Sequence, residues 1–223
     1  MEFRRYALYY APRPGGFADA AAGWLGWDAA RGRAVDQPDL PVPLRDWTAA
    51  PRRYGFHSTL KAPFRLRDGI GIGDLCAGVE TLAGQLGAVE MPRLELVRLG
   101  HFLALVPGDS PDLVALAARV VTGLDPFRAP LNADEIARRR PERLTDRQRA
   151  LLDLYGYPFV MEEFRFHLTL SGPLDAADLQ ALLPLAKAHF APHLPRPFRV
   201  ADLCLFGEGD DGFHLLRRVP LTG

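Results

Sequence analysis

The sequence predicts an α+β fold made of two pseudosymmetric lobes, with antiparallel sheets that face a central cleft and helices on the outside. One observation is that Phe-His-x-Thr-Leu occurs twice, at residues 56–60 and 166–170. Another is that each copy begins the same predicted order of strand, helix, strand, hairpin and strand. A hydrophobic content of 48% is sufficient for a packed core. We therefore expect residues 1–223 to form a single bilobal domain that arose by internal duplication.

The segment before the first motif predicts one strand and one helix. Tyr6–Tyr10 is a short aromatic run ended by two prolines, which is typical of a strand. Residues 17–25 are rich in alanine and are followed by Gly26, which favours a helix with a glycine stop. Residues 28–52 show little periodicity and predict a loop that leads to the motif.

The first lobe motif covers about residues 54–106. Residues 56–60 predict the strand that carries the motif. Residues 74–86 have apolar side chains at helical spacing and predict a helix. Residues 94–99 and 102–106 predict two strands joined by a tight turn at a glycine.

The second lobe motif covers about residues 163–220 and predicts the same elements in the same order. They are a strand at 164–170, a helix at 176–188, and strands at 198–206 and 213–219 around a Gly/Asp turn. Outside the motifs the two halves share little sequence, so the duplication is inferred from the order of the elements.

A helical insertion of about residues 111–160 separates the two copies. It begins with an amphipathic helix at 112–124 and a stiff loop, Asp125–Pro130. Two capping-box patterns then predict two further helices, Asn132 with Glu135 and Thr145 with Gln148. The arginine content of this insertion makes it a candidate lid or anion clamp.

Composition narrows the classes of partner. Lys+Arg and Asp+Glu are both 27, so the formal net charge is zero, which argues against an extended nucleic-acid surface. The two cysteines are far apart, which fits a reducing compartment. The sequence has no signal-peptide pattern and no apolar run of membrane-spanning length. We expect a cytoplasmic protein without a membrane partner.

The repeated motif predicts the catalytic residues. Side chains at i and i+2 of a strand emerge on one face, so His57 lies beside Thr59 and His167 beside Thr169. Two such walls across a cleft would give two groups that titrate near neutral pH and two neutral hydrogen-bond donors. One histidine can take a proton from an attacking oxygen while the other gives one to a leaving oxygen. This pattern favours cleavage of a phosphodiester.

Further residues beside the motifs are candidate phosphate or substrate contacts. Lys61 continues the face of Thr59, Arg165 precedes His167 by two residues, and Arg128 lies in the stiff loop. Arg53 and Tyr54 precede the first motif strand. No acidic residue or cysteine stands at a familiar ligand spacing from the histidines, so we expect neither a metal nor a cofactor.

These segments resemble the two-histidine phosphoesterase superfamily, which is defined by paired His-x-Ser/Thr motifs on two pseudosymmetric lobes. Residues 53–64, the Asp125–Pro130 loop and residues 163–170 resemble one bacterial branch, whose members are labelled phosphonate-metabolism proteins and are often encoded beside the carbon–phosphorus lyase pathway. The resemblance covers nearly the whole chain. It implies a phosphodiesterase that acts on 2′,3′-cyclic phosphates, 2′-5′ linkages or related esters.

We therefore expect a metal-independent phosphodiesterase that hydrolyses a small cyclic phosphate, with a function in phosphonate metabolism. Two alternatives stay open. One is the same chemistry on RNA ends, as a 2′,3′-cyclic phosphodiesterase or a 2′-5′ RNA ligase-like enzyme, with RNA the less favoured partner. The other is a non-catalytic module that binds a nucleotide or a phosphonate. In each case the expected ligand is a small phosphorylated molecule.

Overall fold

The computed structural model describes residues 3–223. The strands are β1 (Tyr6–Tyr10), β2 (Trp27–Asp28), β3 (Arg33–Ala34), β4 (Ser58–Phe64), β5 (Val89–Met91), β6 (Glu95–Leu99), β7 (Phe102–Val106), β8 (Leu168–Thr169), β9 (Phe198–Val200), β10 (Asp202–Glu208) and β11 (Phe213–Pro220). The helices are α1 (Gly16–Leu25), α2 (Leu44–Trp47), α3 (Ala49–Arg52), α4 (Ile72–Ala83), α5 (Pro111–Gly123), α6 (Ala133–Arg138), α7 (Asp146–Tyr155) and α8 (Ala176–Phe190).

The predicted α+β fold class is confirmed. Both copies of the motif begin the same succession, β4-α4-β5-β6-β7 and β8-α8-β9-β10-β11. Both capping boxes of the insertion form, at Asn132 with Glu135 and at Thr145 with Gln148. Helix α7 ends at Gly156, whose φ of 73° is the left-handed conformation that favours glycine at a helix end.

Two antiparallel sheets carry the motifs. The larger has the order β11-β10-β1-β4 and the smaller has the order β6-β7-β8. Strands β5 and β9 form a two-stranded pair that joins one half of the chain to the other. Strands β2 and β3 form a short hairpin within the segment predicted as a loop, residues 28–52, which also contains the short helices α2 and α3.

The two halves of the chain exchange their hairpins. Strand β4 of the first motif lies in the sheet of hairpin β10–β11, and strand β8 of the second motif lies in the sheet of hairpin β6–β7. The helices show the same exchange, because α4 packs against β10 and β11 while α8 packs against β7. Each sheet that carries a motif therefore combines strands from both segments, 54–106 and 163–220. Periodicity identifies strands but not their partners, and consecutive strands are neighbours only about two-thirds of the time.

The strands at the two motifs differ from prediction. The first begins at Ser58 and runs to Phe64, and the second is reduced to Leu168–Thr169. Before each strand a histidine ring binds the carbonyl group two residues earlier, a local turn that keeps the backbone out of the ladder. The predicted strand 198–206 is also divided, because β9 pairs with β5 whereas β10 pairs with β1 and β11.

A large core fills the space between the sheets and the helices, and two smaller apolar clusters lie beside it. The indole N–H of buried Trp24 on α1 donates to the carbonyl of Leu170, 2.8 Å away, and so ties α1 to the second motif. Helix α5 of the insertion packs against β4 of the first motif. Within residues 3–223, none of the helices is long and apolar enough to cross a membrane.

Candidate active site

Both motif histidines are held in the same way. His57 Nδ1 lies 2.9 Å from the carbonyl oxygen of Gly55, and His167 Nδ1 lies 2.7 Å from that of Arg165. A carbonyl oxygen can only accept, so the proton of each neutral ring is assigned to Nδ1. The Nε2 atom of each ring is then the one available for proton transfer.

Gly55 is required by the turn before the first histidine. Its φ is 71°, and a Cβ at this position would lie 2.7 Å from the Cβ of Ala29. Any residue with a Cβ would meet both backbone strain and a steric clash at this position. Glycine therefore permits the turn whose carbonyl oxygen orients His57.

A cavity of about 490 Å³ contains the two motifs. Its walls include the four residues that the repeat predicts, namely His57, Thr59, His167 and Thr169. This volume is in the range of small-molecule sites, about 300–1,000 Å³. The structure thus brings both imidazoles and both hydroxyl groups to one concave surface, with Arg53 and Tyr54 in the same wall.

The ring of His57 packs closely into the wall of the cavity. It stacks on Tyr9, with 3.9 Å between ring centroids and 28° between planes. Its Nε2 lies 3.3 Å from Thr59 Oγ1. Burial lowers the pKa of His57 to about 4, against the opposing effect of the Gly55 carbonyl and with a smaller lowering by the nearby His167. His57 is therefore neutral at physiological pH.

Ser58 joins the two motifs. Its side chain is buried, and its Oγ accepts a hydrogen bond of 3.3 Å from the backbone N–H of His167. The signal for this contact in the sequence is a single hydroxyl on the otherwise apolar face formed by Phe56 and Leu60. That signal shows that Ser58 is unusual but does not identify its partner.

A buried carboxylate organises two arginines of the cavity. Glu208 binds Arg5 through two hydrogen bonds of 2.6 and 3.0 Å, and Arg53 through one of 3.2 Å. Burial alone would raise the pKa of Glu208, but its hydrogen bonds with Arg5 and the nearby arginine charges hold that pKa below its ordinary value. Glu208 is thus ionised and fixes both guanidinium groups. The sequence indicated Arg53, whereas Arg5 precedes β1 without any motif.

Helix α6 of the insertion forms another part of the wall. It brings Arg138 and Arg139 to the cavity, and the Arg139 guanidinium lies 4.8 Å from the ring centroid of Tyr157. The arginine content of the insertion indicated a candidate anion clamp, whereas for residues 138–140 themselves the sequence favoured a solvated helix end. Tyr9 and Tyr157 were missed as well, because their place in the cavity depends on contacts distant in sequence.

Lys61 does not lie on the face of Thr59, contrary to the prediction. Tyr9 pairs with Thr59 and Leu8 pairs with Lys61, so Leu60 is the extra residue of a β-bulge. The bulge turns Lys61 to the core side, where Nζ donates to the Val121 carbonyl at 3.1 Å and to Asp125 at 3.0 Å. The strict alternation on which the prediction rested does not survive a bulge.

Arg128 and Arg165 are also directed elsewhere. Arg128 binds the Asp125 carboxylate at 2.8 and 3.2 Å and the Leu154 carbonyl at 3.0 Å. Arg165 donates to the carbonyls of Glu162 and Phe164 and lines a different hollow of the surface. The structure therefore places neither arginine in the cavity with the histidines, because local backbone and carboxylate acceptors hold them.

The part of the chain that the structure describes contains no group of three or more His, Cys, Asp or Glu side chains arranged to hold a metal ion. Independence from metals stays a prediction.

Residues 59–215 match a family described as a protein of unknown function (DUF1045). The chain belongs to the DUF1045 family. The matched residues contain the second motif completely, and they begin at the threonine of the first.

A curated relative of this DUF1045 chain is the ribose 1,5-bisphosphate phosphokinase PhnN of Janthinobacterium sp. (strain Marseille). The two are 38% identical over 231 residues, an alignment that covers 98% of this chain and 51% of that protein. The chain thus spans about half the length of the curated relatives it matches.

Among solved structures, TT0787 of Thermus thermophilus has a TM-score of 0.50 with 15% identity, and 98% of each chain is covered. E. coli LigT in complex with 3′-AMP has a TM-score of 0.47 with 16% identity, and 100% of each chain is covered. The resemblance predicted from the paired motifs is confirmed at the level of the DUF1045 family, and this chain shares the fold of TT0787.

Proposed function

We propose that this protein is a metal-independent phosphodiesterase that opens a small cyclic phosphate by acid–base catalysis between His57 and His167. The observation that carries the proposal is their shared presentation. Each imidazole uses Nδ1 to bind a backbone carbonyl, each leaves Nε2 for proton transfer, and both lie in one cavity with two threonine hydroxyls. A pair of positioned proton-transfer groups is what the two ends of a displacement at phosphorus require.

The lowered pKa of His57 supports the role of base for this residue. His57 Nε2 takes a proton from water as the water oxygen bonds to phosphorus. The bond from phosphorus to the ring oxygen breaks, and that oxygen receives a proton from Nε2 of His167. The products are a phosphate monoester and a free hydroxyl group, and exchange with solvent then restores both histidines. Thr169 donates a hydrogen bond to a non-bridging oxygen, where negative charge increases, and the hydroxyl group of Thr59 turns from His57 Nε2 to do the same when substrate binds.

The substrate class we favour is a cyclic phosphate of a ribose. The curated relative is named for a kinase of ribose 1,5-bisphosphate, and this chain corresponds to about half of that protein. The sequence contains no Gly-x-x-x-x-Gly-Lys-Ser/Thr segment, the phosphate-binding loop of many kinases and ATPases. We infer that this half serves a different step of phosphorylated-ribose chemistry, in phosphonate metabolism, and that the opening of a 1,2-cyclic phosphate is that step.

A cyclic-phosphate end of RNA is the second candidate. A shallow hollow of about 300 Å³ adjoins the cavity and shares His57 and Thr169 with it. Its walls include Tyr54, which is 37% exposed, and Phe102. Exposed aromatic rings beside a phosphate site can stack on a nucleobase.

The test is turnover in the presence of EDTA on ribosyl 1,2-cyclic phosphate, 2′,3′-cyclic nucleotides and an RNA oligomer with a cyclic-phosphate end. His57→Ala and His167→Ala should each lower kcat by about 10²–10⁴-fold. His101→Ala, which changes an exposed histidine outside the cavity, should leave turnover unchanged. Loss of activity on chelation would contradict metal independence. Tight binding of one compound without turnover of any would support a binding module instead.

A further inference from the structure

The cavity contains more positive charge than one phosphodiester requires. Four arginines line it, namely Arg5, Arg53, Arg138 and Arg139, against a single carboxylate, Glu135. Glu135 is already bound to Arg65, with 3.0 Å between the closest atoms, and to the backbone N–H of Asn132 at 2.9 Å. The wall therefore has a net positive charge, although the whole chain has none.

The arginines fall into two pairs. Arg5 and Arg53 share the carboxylate of Glu208, which neutralises part of their charge. Arg138 and Arg139 have no carboxylate partner among residues 3–223. The Nε of Arg138 donates to the backbone carbonyl of Asp134 at 3.2 Å, and Arg139 lies over the ring of Tyr157. Their charge is thus available to a ligand in the cavity.

A helix end can carry arginines for another reason, because the carbonyl groups of its last turn favour positive charge. Arginine side chains in solvent would interact with these carbonyl groups equally well. Arg140 follows directly but does not line the cavity, so the place of Arg138 and Arg139 there is not shared by every arginine at this helix end. The contact of Arg139 with Tyr157 holds one of these guanidinium groups against the cavity wall.

We propose that Arg138 and Arg139 form a second anion subsite, and that the substrate carries a phosphate monoester in addition to the cyclic phosphate. This proposal rests on the proposed function, in which the histidines and threonines hold the scissile phosphate. Guanidinium groups match the geometry of a phosphate monoester through paired hydrogen bonds. A cavity of about 490 Å³ has room for a phosphorylated ribose that spans both subsites. Arg138 and Arg139 then select the substrate and take no part in the proton transfers.

Equilibrium binding tests the subsite independently of turnover. The probes are ribose 5-phosphate and ribose, titrated by calorimetry into the wild type, R138Q/R139Q and the matched control R140Q. We expect ribose 5-phosphate to bind the wild type and R140Q at least about tenfold more tightly than R138Q/R139Q. Equal affinity in all three proteins overturns the proposal. A thermal unfolding curve for each variant shows that the comparison is made on folded protein.

Turnover of ribosyl 1,2-cyclic phosphate with and without a 5-phosphate gives the second measurement. The wild type and R140Q should favour the 5-phosphorylated compound through a lower KM, and R138Q/R139Q should lose this preference. Equal KM values in the wild type overturn the second subsite while the phosphodiesterase proposal stands. Turnover of neither compound, with binding of ribose 5-phosphate that depends on Arg138 and Arg139, overturns the phosphodiesterase proposal and keeps the subsite.

Discussion

The side chain of Ser58 accepts a hydrogen bond from the backbone N–H of His167, so the residue after one candidate catalytic histidine fixes the position of the other. The contact is partly buried and joins residues 109 positions apart. It fixes the position of one motif relative to the other, although their strands lie in different sheets.

Ser58→Ala should lower kcat by a larger factor than it changes KM. The variant leaves the N–H of His167 without its partner, which costs about 1–3 kcal/mol of stability, and it lets the His167 ring shift against the substrate. A loss of about tenfold or more in kcat is expected, since small misplacements of a catalytic group are costly. Steady-state kinetics on the preferred cyclic phosphate measures both constants.

Ser110→Ala is the matched control for Ser58. It removes a serine that accepts from a backbone N–H, that of Leu113, at the start of α5 and outside the cavity. It should reduce stability comparably and leave kcat unchanged. Equal kcat in both variants would show that the bond between the motifs has no part in positioning His167.

The stability of the protein should fall as the pH falls from about 6.5 to about 4. His57 has an ordinary pKa of 6.5 and a folded-state pKa of about 4. Between these pH values the unfolded chain binds more protons than the folded chain. The contribution of His57 to stability is therefore complete above pH 6.5 and is lost as the pH approaches 4. Urea unfolding at pH 7 and pH 4.5 should show a smaller difference for His57→Gln than for the wild type.

His101→Gln is the control for this pH effect and should keep the full difference. NMR titration of the ring protons gives an independent measurement in the wild type. A midpoint near 6.5 for His57 would contradict the effect of burial and would also remove the reason for assigning His57 as the base.

Lys61 and Asp125 should affect stability and not substrate binding. Asp125→Ala leaves the buried ammonium group of Lys61 without its carboxylate and should cost about 2–3 kcal/mol, below the range for a fully buried pair because the Asp125 side chain is 26% exposed. Lys61→Met should cost less, since Asp125 keeps Arg128. Denaturant unfolding measures both variants. A tenfold increase in KM for Lys61→Met would contradict this prediction and would indicate that Lys61 contacts the substrate phosphate.

Gly55→Ala should destabilise the protein and lower kcat. The backbone strain at φ 71° costs about 1–2 kcal/mol, and the clash with Ala29 displaces the carbonyl that orients His57. Gly69→Ala is the matched control, because Gly69 has φ 79° but nothing within 4 Å of the added Cβ. It should reproduce the strain and leave kcat unchanged.

A second substitution at Ala29 separates strain from clash. Ala29→Gly removes the atom that the new Cβ would meet, so Gly55→Ala with Ala29→Gly should recover part of kcat while the strain remains. No recovery would mean that the turn itself, and not its contact with Ala29, sets the position of His57.

The repeat was sufficient to predict the fold class and to indicate His57, Thr59, His167 and Thr169 as one site, because the same i, i+2 pair of residues occurs twice in the sequence. What depends on pairing could not be predicted. Lys61 was misplaced by a bulge that becomes visible only when β4 is paired with β1. Arg5 and Tyr9 reach the cavity through contacts with distant parts of the chain, and no local pattern marks them. The exchange of hairpins is likewise a choice of partner that periodicity does not record.

That exchange has a consequence during synthesis on the ribosome. Strand β4 is made early, yet the sheet that supports it includes β1, β10 and β11, so it is incomplete until residues 202–220 have been added. The sheet of the second motif, in contrast, closes as soon as β8 follows β6 and β7. The sheet of the second motif can therefore be complete while the chain is growing, whereas the sheet of the first has only its β1–β4 pair until β10 and β11 are made. A nascent chain halted before residue 202 would hold the complete sheet of the second motif and only two of the four strands in the sheet of the first.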